Sequence, residues 1–428
     1  MLDINLLREN PQIVRDALAR RNMDASVVDE ITTLDQERRV LLKEVEELKA
    51  ERNRVSKEIG RSKDSSEREQ KIKDMRIVGD NIAVLDEKVR QVDENLRDVL
   101  SGVPNIPDDN VPLGKDESEN QVIRTSAEPP KLDFEPLPHW ELGPNLGIIN
   151  FDQGVKITGS RFYVLSGAGA RLQRALIAWM LDLHTRQGYE EKYTPFMVRS
   201  ATLFASGQLP KFVDNLYHDH EEDLWMVPTA EVPLTGIHMD EIMEAGTLPL
   251  RYTAYTPCFR REKMSAGRDV RGIKRGHQFD KVEMYIYCEP EESEKEMEKM
   301  LADAVETCEL LGLTYRILEL CTGDLGFNAR KTFDVEVWSP GCNEWLEVSS
   351  VSNVGDFQAR RAAARVRDED GKLHFPHTLN GSGLGMPRTL IAVMENYQQA
   401  DGSILVPDVL QPWMGGISRI SAEEVSNV

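Results

Sequence analysis

The sequence predicts an α+β fold: a mainly antiparallel sheet with helices packed on it, preceded by an N-terminal arm of two antiparallel helices in a coiled coil. Three observations carry this. From Ile31 the apolar residues fall on a seven-residue repeat, which recurs after a short polar turn. Beyond Phe151, strand and helix patterns mix without the regular alternation of a parallel sheet. Several of the later strands alternate in period two and are joined by turns.

The arm comes first. Leu34, Leu41, Leu48 and Val55 form one row, and Ile31, Val45 and Ile59 the other, with Arg38 and Arg52 in its gaps. Spacings that alternate three and four make a coiled-coil seam. Met75, Ile82, Val89 and Leu96 beside Val78, Leu85, Val92 and Val99 repeat it, after the turn material Gly60 to Ser66. Two such seams fold back on each other, and at 1.5 Å per residue each helix reaches about 40 Å. Residues 49–76 hold ten Lys/Arg and six Asp/Glu, a net +4 in a chain of net charge −21. A locally positive rod on an acidic chain suits contact with a phosphate backbone, read by shape rather than by base edges.

The proline-rich stretch 101–150 shows little periodicity and reads as a linker, with a domain boundary near Gly102 that divides the chain into 1–102 and 103–428. A chain of 428 residues has room for such a second domain with a core of its own. Its five cysteines are scattered, with no Cys-x-x-Cys pair, which fits free thiols in a reducing cytoplasm. The N-terminus lacks the order of a signal peptide, and no apolar stretch is long enough to span a bilayer, so no membrane partner is expected.

In the body, residues 174–186 read as a helix closed by Gly188, followed by a short strand broken at Pro195. Ser293 to Leu311 is an amphipathic helix, with Ser293 as its expected N-cap and Met297, Leu301, Ala304, Cys308 and Leu311 inward. Val282–Cys288, Phe333–Trp338 and Trp345–Ser350 are strands. His218, Asp219 and His220 sit in a polar loop and read as surface.

Two stretches carry chemistry. Phe259-Arg260-Arg261-Glu262 leads through a long basic loop to Phe279-Asp280-Lys281-Val282-Glu283. Arg260 and Glu262, two apart on an expected strand, should share a face, and so should Lys281, Glu283 and Tyr285. The loop Lys263–Gly276 holds Lys263, Arg268, Arg271, Lys274 and Arg275 against the single acid Asp269, a composition suited to pyrophosphate or a nucleic-acid end. Asn380-Gly381-Ser382-Gly383-Leu384-Gly385-Met386-Pro387-Arg388 is no dinucleotide fingerprint, because Met386 stands where the last glycine belongs. Pro387 instead starts a helix, so Arg388 lies at an N-terminus where dipole and guanidinium both favour an anion.

Beyond these, Gly207-Gln208-Leu209-Pro210-Lys211-Phe212, Thr229-Ala230-Glu231-Val232-Pro233, Cys321-Thr322-Gly323-Asp324-Leu325-Gly326-Phe327, Glu347-Val348-Ser349-Ser350 and Asp356-Phe357-Gln358-Ala359-Arg360-Arg361 make the chain resemble, over essentially its whole length, a bacterial-type seryl-tRNA synthetase, a class II aminoacyl-tRNA synthetase. The resemblance implies an antiparallel-sheet class II catalytic domain and activation of L-serine by ATP to seryl-adenylate. It further implies transfer to the 3′ end of tRNA(Ser), with tRNA(Sec) as a further candidate, and a homodimer built on the helix from Arg174 and the strand reaching Pro195. By matching position, Thr229, Ala230, Glu231, Glu283 and Ser382 would line the serine pocket. Arg260, Arg261, Glu262, Phe279, Glu347, Val348, Ser349, Ser350 and Arg388 would bind ATP, with Phe279 under the adenine. Glu347 and Ser350 would hold Mg²⁺, and the arm would grip the tRNA's long variable arm. Arg260, Glu347 and Arg388 would carry catalysis, which here is positioning and charge neutralisation, since a carboxylate attacking phosphorus needs no base.

Strict alternation puts Glu347 and Ser349 on one face and Ser350 on the other, so Ser350 can join the site only if the strand bends there. Two rival readings are an amino acid:carrier-protein ligase, against which the intact arm speaks, and a non-catalytic coiled-coil interaction protein, against which the retained charged set speaks.

Overall fold

The structure, a computed structural model, describes residues 1–61, 64–263 and 271–422. The chain divides into two compact units, 1–104 and 105–428.

In the first unit, short helices α1 (Ile4–Glu9) and α2 (Pro11–Arg20) precede the long α3 (Val27–Arg61) and α4 (Ser65–Ser101). Asp64 caps α4 by accepting hydrogen bonds from the Ser66 and Glu67 amides. The ion pairs Arg38–Asp93, Lys49–Asp86 and Lys71–Glu58 step down one helix as they step up the other, so the two run antiparallel. Every expected seam residue is buried or half-buried, whereas Val40, Ile72, Ile77 and Val84, off the seam, are exposed. With 35 and 37 residues the helices are longer than the seam alone indicates, about 50 Å each. Ser62 and Lys63 of the expected turn lie outside the described residues.

The second unit is built on an eight-stranded sheet: β1 (Gln121–Thr125), β2 (Glu190–Glu191), β3 (Leu250–Phe259), β4 (Gln278–Cys288), β5 (Tyr315–Glu319), β6 (Lys331–Ser339), β7 (Glu344–Gly355) and β8 (His377–Gly385). Their spatial order is β1-β5-β6-β7-β8-β4-β3-β2. The pairings are antiparallel except that of β2 with β3. Helices α6 (Gly167–Arg186), α8 (Ser293–Leu310) and α10 (Met386–Asn396) share one core with the Val282, Met284 and Ile286 side of β4. The other side of β4 presents Lys281, Glu283, Tyr285 and Tyr287, the tyrosines packing with Ala230 and Leu234 at α7 (Glu231–Gly236), and Tyr285 donating to Gln358 of α9 (Phe357–Ala362). The long helices cover one face of the sheet, and the polar residues of the other face build a site.

Four expectations need adjusting. The helix expected over 174–186 begins at Gly167, and the one expected from Ser293 has Glu292 rather than Ser293 in its capping position. The stretch read as a linker supplies edge strand β1 and α5 (His139–Asn145). All five side chains of β1 are exposed, so its backbone pairing left no hydrophobic pattern to read. Strand β3 stops at Phe259, so Arg260 and Glu262 do not share a strand face. Glu262 adopts φ +51°, a left-handed conformation rare for a side chain with a Cβ and a frequent mark of functional sites.

Candidate active site

On the polar face of the sheet lies a cavity of about 350 Å³. Its inner wall comes from Thr229, Glu231, Lys281, Glu283, Asn380 and Ser382, and its outer wall from Arg260, Glu262, Phe279, Glu347, Ser350 and Arg388. Lys274 and Arg275 close it from the loop ahead of β4. Arg268 and Asp269 of that loop lie outside the described residues.

The inner wall is buried and charged. Lys281 pairs with Glu283, and the Thr229 hydroxyl donates to Glu283 Oε2 at 3.4 Å. Glu231 Oε1 accepts from the amides of Gln358 at 2.6 Å, Asn328 at 3.1 Å and Asn380 at 3.1 Å. Burial, reinforced by the nearby Glu283 charge, pushes the Glu231 carboxyl up to about 7. This end of the cavity is therefore short of positive charge.

The outer wall is a ring of cations held in place. Arg260 donates through Nε to the Pro228 carbonyl at 3.2 Å and lies over the Phe279 ring, 5.1 Å from its centroid. Arg275 reaches Glu262 at 3.6 Å. Arg388, in the first turn of α10, donates to the Glu347 carbonyl at 2.8 Å and lies 3.3 Å from its carboxylate. Arginines thus stand on opposite sides of one space, and the N-terminal end of a helix adds its dipole.

The bend needed at Ser350 is present. Val335 pairs with Ser349 but Glu336 pairs with Glu347, so Val348 is an extra residue in β7, a β-bulge. The bulge resets the alternation: Glu347 and Ser350 line the cavity together, while buried Ser349 turns away and donates to the Ser382 carbonyl at 2.6 Å. Ser349 is thus not a cavity wall. Neither is Ala230, fully buried in an apolar cluster, nor Arg261, which lies over the Tyr217 ring. Polar side chains not singled out as ligands but lining the space include Gln208, Lys281 and Asn380. Gln208 and Asn380 stood inside quoted motifs, and Lys281 stood on the same strand face as Glu283.

The donor set beside Glu347 suits a hard divalent cation. Glu347 and Ser350 offer oxygens, and behind them Asp334 Oδ1 has no hydrogen-bond partner among the described residues. Burial, and next the neighbouring Glu347 charge, drive the Asp334 carboxyl upward; burial, with the charges of Glu117 and then Glu347, does the same for Asp324. Three carboxylates without enough cations between them fit Mg²⁺ and its oxygen preference.

A β-sheet with one helical face, a buried acidic pocket and flanking arginines defines the core of a class II aminoacyl-tRNA synthetase. The sequence agrees: residues 213–397 match the tRNA synthetase class II core domain of the glycine, histidine, proline, serine and threonine enzymes. Residues 1–107 match the seryl-tRNA synthetase N-terminal domain. The serine–tRNA ligase of Roseiflexus castenholzii is 63% identical over 421 residues, 98% of this chain and 99% of that protein. The seryl-tRNA synthetase of Pyrococcus horikoshii, crystallised with ATP, superposes with a TM-score of 0.91 at 38% identity, covering 98% and 99% of the two chains. The cytoplasmic serine–tRNA ligase of Naegleria fowleri, in complex with AMP, gives 0.86 at 32% identity, with the same coverage. The chain belongs to the seryl-tRNA synthetase family. Among the described residues no helix is long and apolar enough to cross a membrane.

Proposed function

We propose that the cavity binds L-serine at its buried end and ATP at its open end. In that arrangement the serine carboxylate attacks the α-phosphorus, forming seryl-adenylate and releasing pyrophosphate, and the seryl group then passes to the 3′ end of tRNA(Ser). The observation that carries this reading is the continuity of the space, from Glu231 and Glu283 inside to Arg260 and Arg388 outside.

Glu231, Thr229 and Ser382 hold the amino acid, the Glu231 carboxylate answering its ammonium group. Glu283 accepts from the serine hydroxyl. An alanine in that place would leave a buried carboxylate without its partner, which is a strong rejection, whereas threonine is refused only on size. Phe279 stacks on the adenine, with Arg260 and Glu262 beside it. Arg260 and Arg388 neutralise the polyphosphate from two sides as charge develops, and no general base is needed. Glu347 and Ser350 would hold Mg²⁺, which when bound neutralises phosphate charge and fixes its geometry. Val348 contributes to the nucleotide wall, while Ala230, Arg261 and Ser349 act behind it.

The coiled-coil arm, net positive over 49–76, grips tRNA(Ser), and tRNA(Sec) is a second substrate by the same contact. A second copy docks along α6 and β2. This is supported by Tyr193, 87% exposed, and by Arg161, Arg171 and Gln173, each with a buried polar atom lacking a partner among the described residues. A reducing cytoplasm is the setting the five free cysteines favour.

The experiment is ATP–pyrophosphate exchange with each standard amino acid and Mg²⁺. Exchange with serine alone is expected, and exchange with another amino acid overturns the pocket. A protein lacking residues 31–99 should keep exchange and lose tRNA charging; charging at the full rate would remove the arm from the mechanism.

A further inference from the structure

We propose that His139, clamped by Glu395, is a positioning residue that holds the 271–276 limb of the basic loop over the ATP end of the cavity. The inference rests on the function just proposed and adds to it a group that lies outside the cavity.

His139 opens α5 and is fully buried. Its Nδ1 lies 2.9 Å from Glu395 Oε1, and its Nε2 accepts a hydrogen bond from the Ile273 amide at 3.1 Å. A backbone N–H can only donate, so Nε2 carries no proton and Nδ1–H is the donor toward Glu395. Ile273 is itself buried in the main core. Gly272 adopts φ +72°, and a Cβ there would stand 1.9 Å from His139 Nε2. Only glycine lets the chain approach the ring this closely. The next residues, Lys274, Arg275 and Gly276, line the cavity. Trp140, the neighbour of His139, lies 5.7 Å beneath the Lys274 ammonium, and Lys274 pairs with Glu344. A basic loop with several like charges is thus tied down at one residue just before the cations that matter.

Glu395 is well placed to fix the ring. It accepts from the His139 amide at 2.8 Å, from the Cys342 amide at 3.0 Å, from the Cys342 thiol at 3.2 Å, and from the Ser339 hydroxyl. His139, Cys342 and Glu395 also come close enough together to hold a metal ion. Against that, both ring nitrogens are committed, and burial pushes the Cys342 thiol up to about 12, far from the thiolate a metal needs. The groups around His139 are Glu395 from α10, Cys342 from the turn between β6 and β7, Lys274 from the loop and Trp140 from its own helix, with Ser339 at the end of β6 held on Glu395. Burial lowers the His139 pKa, which keeps Nε2 an acceptor at neutral pH.

The test joins amide hydrogen exchange over 271–277, read without substrate, to ATP–pyrophosphate exchange kinetics. His139→Leu is expected to remove protection at the Ile273 amide while sheet amides stay protected. It should raise KM for ATP about tenfold, as fits the loss of one buried hydrogen bond, and leave KM for serine unchanged. His139→Gln, which can donate to Glu395 and accept from Ile273, restores most of both. Should His139→Leu fail to fold, Gly272→Ala keeps the His139–Glu395 pair and must show the same two changes. Unaltered Ile273 protection with unaltered KM for ATP overturns the proposal, as does stoichiometric metal in the purified wild-type enzyme. Absence of serine-dependent exchange in the wild type defeats the functional reading instead, and leaves the amide result to judge the anchor.

Discussion

Two buried carboxylates, Glu231 and Glu395, sit on the two sides of the same sheet and are compensated in opposite ways. Glu395 takes hydrogen bonds from His139, Ser339 and Cys342. Burial alone would push its carboxyl up, but the bonds from His139 and Ser339 outweigh it and hold it below the usual range. Glu231 takes three bonds from neutral amides, all on one oxygen, with Glu283 nearby, and its carboxyl is pushed up to about 7. The first carboxylate is complete within the protein. The second is left short of positive charge, which is the condition of a site waiting for a cationic group such as the ammonium of an amino acid.

The sharpest way to break this contrast is to remove a charge from each side. Glu283→Ala should lower serine-dependent exchange by about a thousandfold or more, because recognition of so small a substrate rests on its hydroxyl. Thermal stability should fall less than in Glu395→Ala, because Lys281 loses its partner but Glu231 remains in the same pocket to face its charge. A large loss of stability with activity intact would make the pocket structural. Glu395→Ala should do the reverse. It strands several buried donors and is expected to cost about 3–5 kcal/mol in denaturant unfolding, with KM for serine unchanged.

The next effect is one of pH. A folded-state carboxyl raised above its unfolded value binds its proton more tightly in the native protein. Its contribution to stability is therefore present below the ordinary carboxylate range and is lost as pH rises toward about 7. Serine binding runs the other way, because it needs the ionised form. KM for serine should rise about tenfold between pH 8 and pH 6, and Glu231→Gln should flatten that profile at a uniformly high KM. A flat profile in the wild type would show that Glu231 does not titrate there.

The arm was legible because its seam is a local, repeated pattern, so period alone identified both helices. The body was legible where strands alternate, as in β4, and illegible where only backbone pairs, as in β1. Site residues near each other in sequence, such as Arg260 with Glu262 and Glu347 with Ser350, stood out. Lys281 gave only a strand-face hint. Nothing in the sequence joins residues 139, 273, 339, 342 and 395, because a buried hydrogen-bond knot has no period and no spacing. The bulge at Val348 is the intermediate case: the chemistry of Ser350 demanded a bend that the residue pattern did not supply.

That bulge yields the smallest prediction and the most discriminating one for how the pocket is built. If Val348 is the extra residue, Ser349 faces away from the nucleotide and acts only through its bond to the Ser382 carbonyl. Ser349→Ala then removes one buried hydrogen bond, about 1 kcal/mol. Its effect should fall on the strand that carries Ser382, raising KM for serine by about three- to fivefold and leaving KM for ATP and the Mg²⁺ dependence unchanged. An unbulged strand would send Ser349 to the nucleotide side with Glu347, and the same substitution would raise KM for ATP instead. One kinetic comparison of two substrates thus reports which way a single side chain turns.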